Sequence, residues 1–178
     1  MEALELRSMF GARVSEADSF DQMLRLCERP ILRLCYRLLG NLDDAEDAAQ
    51  EVFLKAWNNR GRIMRDRDPS PWLYRIAVNT CRDHFRRQRP DREIADTDGD
   101  GGVDPETSAQ REEQERIVME GLRQLGDRER MALVLRHLEG METAEVAALM
   151  GVSEATVRSQ SAQARAKLKA WVESRGVR

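Results

Sequence analysis

Apolar residues recur with helical spacing through almost the whole chain, and no segment alternates apolar and polar residues as a half-buried strand does. The pattern is interrupted at residues 90–107, which hold acids, glycines and prolines and almost no large apolar side chain. Such a segment cannot bury enough surface to offset the entropy lost on ordering. We therefore predict an all-α chain with two small helical domains, joined by a flexible acidic linker over residues 90–109.

Glycines and capping residues divide each predicted domain into four helices. Pro30 suits a helix start or a kink, and Gly40 suits a stop. Either Asp43 or Asp44 can cap one helix, and Asp127 can cap another. The predicted segments are an N-terminal extension (1–17), a first domain (18–89, with helices over 20–27, 31–39, 43–57 and 70–88), the linker (90–109), and a second domain (110–178, with helices over 117–126, 127–139, 143–150 and 154–172). The helix over 43–57 is expected to bury Ala48, Val52, Phe53, Ala56 and Trp57.

The net charge of −3 conceals a segregation of charge along the chain. Residues 41–51 contain five acids and no base, whereas residues 60–92 contain ten arginines against four aspartates. Residues 154–178 contain six bases against two acids. Two basic zones favour a polyanionic partner such as nucleic acid, and the acidic segment favours a different partner.

The sequence gives no sign of catalysis, a metal or a cofactor. Cys27, Cys35 and Cys81 lack a CxxC pattern, so buried, reduced thiols are favoured over a redox or metal role. His84 and His137 are far apart, with no acid–base constellation between them. The DxDGDGG stretch in the linker lacks the ligand spacing of a calcium loop. Without a long apolar run or a secretion signal, the chain is expected to be cytoplasmic.

The segment TAEVAALMGVSEATV, Thr143–Val157, has the pattern of a helix-turn-helix. Ala147 is small enough for two helices to cross closely, and Gly151 can adopt the left-handed conformation of a tight turn. Ser153 can cap the second helix, and Val157 is expected to point into the core. The second helix then carries several bases, which favours insertion into the major groove of DNA over an ordinary helical hairpin.

Three blocks in order resemble the extracytoplasmic-function (ECF) sigma factors, a branch of the bacterial sigma-70 family. They are DDAEDAAQEVFLKAW at 43–57, PWLYRIAVNTCRDHFRR at 71–87 and LRQLGDRERMALVLRHLEGMETAEVAALMGVSEATVRS at 122–159. The resemblance implies a non-catalytic specificity subunit that joins core RNA polymerase through its β′ coiled coil and β flap. It also implies recognition of the −10 and −35 promoter elements and a protein inhibitor, an anti-sigma factor, through which alone the chain would contact a membrane.

The acidic block matches the family's polymerase-binding helix. The matching residues are Asp47, Gln50 and Glu51, which helical spacing puts on one face. A merely solvated acidic face is the alternative. Acids crowded without bases disfavour folding, which supports a partner.

The block at 71–87 matches the segment that opens the −10 element and reads its exposed strand. Asn79 matches the base-reading asparagine, because an unpaired base offers hydrogen-bonding groups to a polar side chain. The arginines expected to contact this strand or help hold an extruded base are Arg82, Arg86, Arg87, Arg62 and Arg65. The apolar residues Trp72, Leu73, Ile76 and Val78 are expected to anchor the helix in the core.

The helix-turn-helix matches the part of the family that binds the −35 element, with one departure. The candidate contacts are Ser153, Thr156, Arg158, Ser159, Gln160, Gln163 and Arg165. The family usually has arginines where this chain has Gln160 and Gln163, and a large apolar residue where it has Ser161. The lost cations lower the expected phosphate contact, although Gln can still read adenine. Ser161 weakens the expectation of a normally packed recognition helix.

Two other functions account for fewer of these residues. A DNA-binding regulator acting alone, with an effector-sensing first domain, would use the helix-turn-helix but would leave the two N-terminal blocks unexplained. A helical adaptor that binds only protein would treat the basic faces as solvated surface.

Overall fold

The protein is described by a computed structural model over residues 19–63, 70–88 and 109–175, and in these ranges its regular secondary structure is entirely helical. The chain divides into two compact units, Met1–Ile94 and Ala95–Arg178. The prediction of an all-α chain in two small helical domains is therefore confirmed for the described residues. The predicted N-terminal extension and nearly all of the predicted linker lie outside them.

The described part of the first unit contains four helices, α1 (Ser19–Leu39), α2 (Leu42–Asn58), α3 (Arg60–Ile63) and α4 (Ser70–Gln88). Helix α1 continues through Pro30, so the two apolar segments predicted on either side of this proline form one helix. A proline removes one backbone hydrogen bond, which the buried apolar face of α1 offsets. That face consists of Met23, Cys27, Ile31, Leu34, Cys35 and Leu38.

Helices α1, α2 and α4 pack against one another around a core of aliphatic side chains. Ile31 and Leu34 of α1, Val52 of α2, and Leu73 and Val78 of α4 are at most 1% exposed. Burial of such a side chain stabilises the fold by about 1.5–3 kcal/mol. The rest of the buried face of α2 consists of alanines, which let the neighbouring helices approach closely. The longer side chains of α2, Val52 apart, therefore lie away from the core.

The N-terminal cap of α2 is Asn41, rather than Asp43 or Asp44 as the sequence suggested. The Asn41 Oδ1 accepts hydrogen bonds from the backbone N–H groups of Asp43 at 2.8 Å and Asp44 at 3.3 Å. The two aspartates instead lie in the first turn, where negative charge is stabilised by the helix dipole.

All three cysteines are buried in the first unit, at most 1% exposed, as predicted. A side-chain hydrogen bond with Cys35, together with burial, raises the pKa of the Cys81 thiol. The thiol of Cys81 is therefore protonated and a poor nucleophile.

The second unit contains α5 (Ala109–Arg123), α6 (Asp127–Leu133), α7 (Thr143–Met150) and α8 (Glu154–Ser174). Helix α6 is preceded by Gly126 as its N-cap, so Asp127 is the first helical residue instead of the cap. Between α6 and α7 the helix widens into a single π-helical turn, Val134–Leu138, which the sequence did not indicate. This segment is called the π turn below.

Helix α8 is the centre of the second unit, since α5, α6 and α7 all pack against it. Leu122, Val134, Leu135, Val146 and Val157 are at most 1% exposed and form the core between these elements. Among the described residues, no helix is long and apolar enough to cross a membrane.

Candidate functional site

The exposed face of α2 carries the predicted polymerase-binding residues. Asp47 and Gln50 are exposed, and neither makes a hydrogen bond or ion pair with another described residue. Glu51 differs, because its carboxylate lies 2.8 Å from Lys55 Nζ and 3.2 Å from Arg87 Nη2. The hydrogen bond from Lys55 is the largest influence on the pKa of Glu51 and lowers it. Partial burial opposes this effect, and the hydrogen bond from Arg87 lowers the pKa further, so it lies below its ordinary value. The expectation of acids without compensating bases is thus wrong for Glu51.

This surface also includes two apolar side chains that were not predicted to bind the polymerase. Leu54 is 65% exposed and Trp57 is 48% exposed. Positions 47, 50, 54 and 57 follow helical spacing, so acidic, polar and apolar residues form one stripe along α2. We call Asp47, Gln50, Leu54 and Trp57 the α2 stripe. Counting from Gln50 at i+4 and i+7 is the signal that would have identified both apolar members.

The expected burial of Trp57 is therefore wrong. Its ring meets the Phe20 ring at a centroid distance of 5.8 Å, and the Arg60 guanidinium lies 4.9 Å from its centroid. The alanines already fill the gap between α2 and its neighbours, which leaves the indole at the edge of the core. Phe53 is half-buried, while Ala48, Val52 and Ala56 are buried as predicted.

Helix α4 presents a polar edge formed by residues at helical spacing. Asn79 and Arg82 are half-buried and Arg86 is exposed, at positions i, i+3 and i+7 of one side of the helix. Arg75, also exposed, lies one turn before Asn79 on the same side and was not among the predicted residues. Arg86 lies 3.6 Å from Asp83, a weak surface ion pair.

Arg87 lies apart from this edge. Its guanidinium pairs with Glu51 at 3.2 Å, so it connects α4 with α2. Arg62 of α3 is exposed. The sixth predicted −10 residue, Arg65, lies outside the described residues.

The predicted anchors hold α4 against the rest of the first unit. Leu73, Ile76 and Val78 are buried, as expected, while Trp72 is half-buried. Lys55 of α2 also donates a hydrogen bond from Nζ to Oγ1 of Thr80 on α4, at 3.0 Å. The Thr80 side chain is fully buried. Since Thr80 follows Asn79, this bond fixes the helix at the position of the candidate base-reading side chain.

The predicted helix-turn-helix is confirmed in its local geometry. Gly151 ends α7 with φ 67° and ψ 38°, the left-handed conformation, and the N–H of Val152 donates to the carbonyl of Ala147 at 3.1 Å. Ser153 caps α8 by accepting a hydrogen bond from the Thr156 N–H at 3.1 Å. Val157 is fully buried and ties α8 to the core.

The candidate −35 residues do not all lie on the surface of α8. Ser153, Arg158, Ser159, Gln163 and Arg165 are exposed. Arg158 pairs with Glu154 at 3.2 Å within the first turn of the helix. Thr156 is half-buried beside the cap.

Gln160 and Ser161 face inward. The Gln160 Oε1 is buried and has no hydrogen-bond partner among the described residues, so this amide does not present its oxygen to a groove. Ser161 is 6% exposed, and its hydroxyl lies 2.9 Å from His137 Nε2. Helix α8 is therefore packed against the core at this position, with a hydrogen bond in place of the missing apolar contact.

Comparison with known proteins gives a family for this arrangement. The Sigma-70 region 2 family matches residues 23–90, and the Sigma-70, region 4 family matches residues 115–168. The RNA polymerase sigma-H factor of Pseudomonas aeruginosa is 34% identical over 167 residues, which cover 86% of each chain. The ECF RNA polymerase sigma factor SigM of Mycobacterium tuberculosis is 34% identical over 154 residues, 84% of this chain and 75% of that protein. The chain belongs to the ECF branch of the sigma-70 family.

Other similar proteins are matched over nearly their whole length. The ECF RNA polymerase sigma factor SigW of Bacillus subtilis is 29% identical over 181 residues, 95% of this chain and 97% of that protein. Among solved structures, CnrH in complex with the cytosolic domain of CnrY is 26% identical, with a TM-score of 0.58, and covers 97% of this chain and 95% of CnrH. The sigma factor RpoE of Bartonella quintana, in complex with the anti-sigma factor NepR, shares the fold with a TM-score of 0.69 at 21% identity, over 88% of this chain and 98% of RpoE.

This chain is therefore a sigma factor, which recognises promoters and directs transcription initiation. It is a specificity subunit of RNA polymerase rather than an enzyme. The region 2 match over residues 23–90 contains both N-terminal blocks that a lone DNA-binding regulator would leave unexplained.

Proposed function

We propose that the α2 stripe, with Glu51 beside it, docks on the β′ coiled coil of core RNA polymerase. The observation that carries this proposal is that Asp47 and Gln50, which pair with no other described residue, lie on one helix with exposed Leu54 and Trp57. Such a stripe suits a helical partner with basic and apolar residues, since a half-exposed tryptophan supplies a large apolar contact and the carboxylate supplies orientation.

Reversal of the charge at Asp47 tests the docking. Asp47→Arg is expected to abolish binding to core polymerase while folding remains intact, because Asp47 is exposed and makes no hydrogen bond or ion pair with another described residue. Glu28→Arg is the matched control, since Glu28 is an exposed glutamate on α1, outside the α2 stripe. Binding is measured by pull-down with core polymerase. Equal loss in both variants would contradict a specific stripe.

The polar edge of α4 is assigned to the −10 element. Asn79 would read an unpaired base, while Arg82 and Arg86, assisted by Arg62 and Arg65, would contact the backbone or help hold an extruded base. Arg87 would contribute to the same surface, but only after leaving Glu51. The fixed position of Asn79 next to the Lys55–Thr80 hydrogen bond supports its role as the reading residue.

Removal of the Asn79 amide tests this assignment. Asn79→Ala is expected to leave polymerase binding unchanged and to lower open-complex formation at promoters with one particular −10 base. Gln124→Ala, an exposed amide in the second unit, is the control. The readout is permanganate footprinting of holoenzyme on promoters that vary at single −10 positions. A change in thermal stability alone would show that Asn79 is only structural.

Helix α8 is assigned to the −35 element. Its exposed N-terminal half, with Ser153, Arg158 and Ser159, would enter the major groove, and Gln163 and Arg165 would lie along its flank. Thr156 would support the cap, whereas Gln160 would reach a base only by rotating its buried amide outward. The second unit would also contact the β flap of the polymerase. Arg158→Ala is expected to weaken −35 protection in holoenzyme footprints.

An anti-sigma factor is the remaining proposed partner. RpoE and CnrH were both solved in complex with other proteins, the former with the anti-sigma factor NepR and the latter with the cytosolic domain of CnrY. We expect this chain to work in the cytoplasm with polymerase and to meet a membrane only through such an inhibitor. Pull-downs from cells that recover polymerase and nothing else under all growth conditions would contradict this expectation.

A further inference from the structure

His137 lies in the π turn and reaches across to the recognition helix. Its Nε2 is 2.9 Å from the hydroxyl of Ser161, 24 residues further along the chain. Two backbone hydrogen bonds define the turn. The Glu139 N–H donates to the Val134 carbonyl at 3.0 Å, and the Met141 N–H donates to the Leu135 carbonyl, also at 3.0 Å. π-helical turns are less favourable than α-helix and occur frequently at functional sites.

Ser161 occupies a position on α8 that otherwise carries apolar residues. Val157, Ser161 and Ala164 form the buried stripe of the helix. A serine in this stripe requires a hydrogen-bond partner, because an unpaired buried hydroxyl is destabilising. His137 is that partner, so the sequence departure at position 161 and the histidine form one structural unit.

The hydroxyl of Ser161 suits both protonation states of the imidazole. It can donate to Nε2 of the neutral ring, and it can accept from Nε2–H of the neutral or the cationic ring. A proton gained by His137 therefore leaves the bond in place. The other ring nitrogen, Nδ1, has no hydrogen-bond partner among the described residues, while the residue as a whole is exposed.

The surroundings of His137 are basic on both elements that it touches. Partial burial of the ring is the largest influence that lowers the pKa of His137, followed by the charges of Arg165 on α8 and Arg136 on the π turn. Arg136 is fixed by donating from Nη1 to the Met141 carbonyl at 2.7 Å. An exposed imidazole with an arginine on its own element and another on α8, the helix assigned to the −35 element, is a suitable place for a phosphate.

We propose that His137, oriented by Ser161, contacts a backbone phosphate of the −35 element beside Arg165. The proposal rests on the −35 role of α8 and extends the binding surface to a second element, the π turn. It also gives Ser161 a function, namely to hold the imidazole in place where an apolar side chain would leave it unsupported.

The contact has a consequence for the pH dependence of binding. In free protein the two arginines and partial burial disfavour the proton, whereas a phosphate oxygen at the ring favours it. The pKa of His137 is then higher in the complex than in the free protein, so binding takes up a proton. The gain in affinity is absent at pH values above the pKa in the complex, grows as the pH falls through it, and is complete below the pKa in the free protein.

Salt-dependent promoter binding by the holoenzyme tests the proposal. The probe is a labelled promoter chosen by mapping transcript starts after overexpression, and affinity is measured between 50 and 200 mM salt, a range chosen to resolve counterion release. At about pH 6, His137→Gln is expected to reduce the slope of log affinity against log salt by up to about 0.9, the value for one lost phosphate contact. At about pH 8 the variant and the wild type are expected to coincide, because the ring is then neutral.

Two further variants separate the contact from a structural role. Ser161→Ala should also reduce the slope near pH 6, and it should add little to His137→Gln in the double variant, because both act through the same ring. His84→Gln, in the other unit, is the control for the loss of a histidine and should keep the wild-type slopes. Melting curves of each variant at both pH values measure any effect on folding.

The outcomes are distinct. Equal slopes for wild type and His137→Gln near pH 6, with promoter binding intact, would overturn the phosphate contact and leave the −35 assignment standing. A slope difference that persists unchanged near pH 8 would overturn the proton-linked contact as well. Absence of −35 protection in the wild-type holoenzyme would overturn the −35 assignment and the contact together.

Discussion

Residues of the same charge play different parts on α2. Asp47 is unpaired among the described residues, whereas Glu51 is held by Lys55 and Arg87. A carboxylate that already has two cationic partners gains less from a third, since it must exchange one ion pair for another. We therefore expect Asp47 to contribute more to polymerase affinity than Glu51, although both are acids of the same block.

The paired glutamates predict how stability depends on pH. Hydrogen bonds from Lys55 and Lys167 hold the pKa values of Glu51 and Glu129, respectively, below the ordinary value of 4.5. A lowered pKa in the folded state contributes stability at pH values above the unfolded pKa, and this contribution is lost as the pH falls through the folded pKa. Glu51→Gln and Glu129→Gln should thus lose less stability than the wild type between about pH 6 and pH 3.

Thermal melting across this pH range measures the effect. The matched control is Glu46→Gln, an exposed carboxylate on the same helix as Glu51, which should follow the wild-type curve. Parallel curves for all four proteins would contradict a stabilising role for the two ion pairs.

At the scale of the elements, the sequence predicted most of the helices because helical spacing and glycine stops are local signals. Gly40, Gly140 and Gly151 all adopt positive φ at helix ends. The continuation of α1 through Pro30 was not predicted, because it depends on packing against α2 and α4. The π turn was missed for the same reason, since its polar contact lies on a helix that follows later in the chain.

The candidate site was predictable where it follows a single helix. The spacing of Asp47 and Gln50, or of Asn79, Arg82 and Arg86, places each set on one face, and those faces are exposed or half-buried. The pairing of Arg87 with Glu51, by contrast, joins two helices and has no signature in either one. The exposure of Leu54 and Trp57 depends on how the alanines of α2 fill the core.

The turn of the helix-turn-helix gives a prediction at this scale. Gly151→Ala puts a Cβ on a residue with φ 67°, which should destabilise the second unit by about 1–2 kcal/mol. Gly61→Ala is the control, because Gly61 is exposed in α3 and a Cβ there meets nothing within 4 Å. It should be neutral or stabilising by up to about 1 kcal/mol. Chemical denaturation measures both, and an unchanged midpoint for Gly151→Ala would contradict the requirement for the left-handed turn.

At the scale of the whole molecule, each unit has its own core. Leu34 lies in the core of the first unit and Leu135 in that of the second, and both are at most 1% exposed. Leu135→Ala should destabilise the second unit by about 2–5 kcal/mol through the lost contacts and the cavity. The first unit should keep its stability, because α1, α2 and α4 pack against one another around its core.

Amide hydrogen exchange resolved by segment measures this independence. Leu135→Ala should accelerate exchange in α6 and α8 and leave α1 and α4 unchanged, while Leu34→Ala should do the reverse. Polymerase pull-down should survive the first substitution and fail with the second. Faster exchange throughout the chain in either variant would show that the two units unfold together.

The burial of all the cysteines in the first unit has a consequence for experiments and for the cell. Alkylating reagents react with an accessible thiolate. Burial makes these thiols inaccessible, and the raised pKa of Cys81 also keeps that thiol protonated. Labelling of these side chains thus requires α1 and α4 to separate, and its rate measures how often the unit opens. An electrophile or oxidant at sublethal concentration would accordingly modify only the molecules that had already opened.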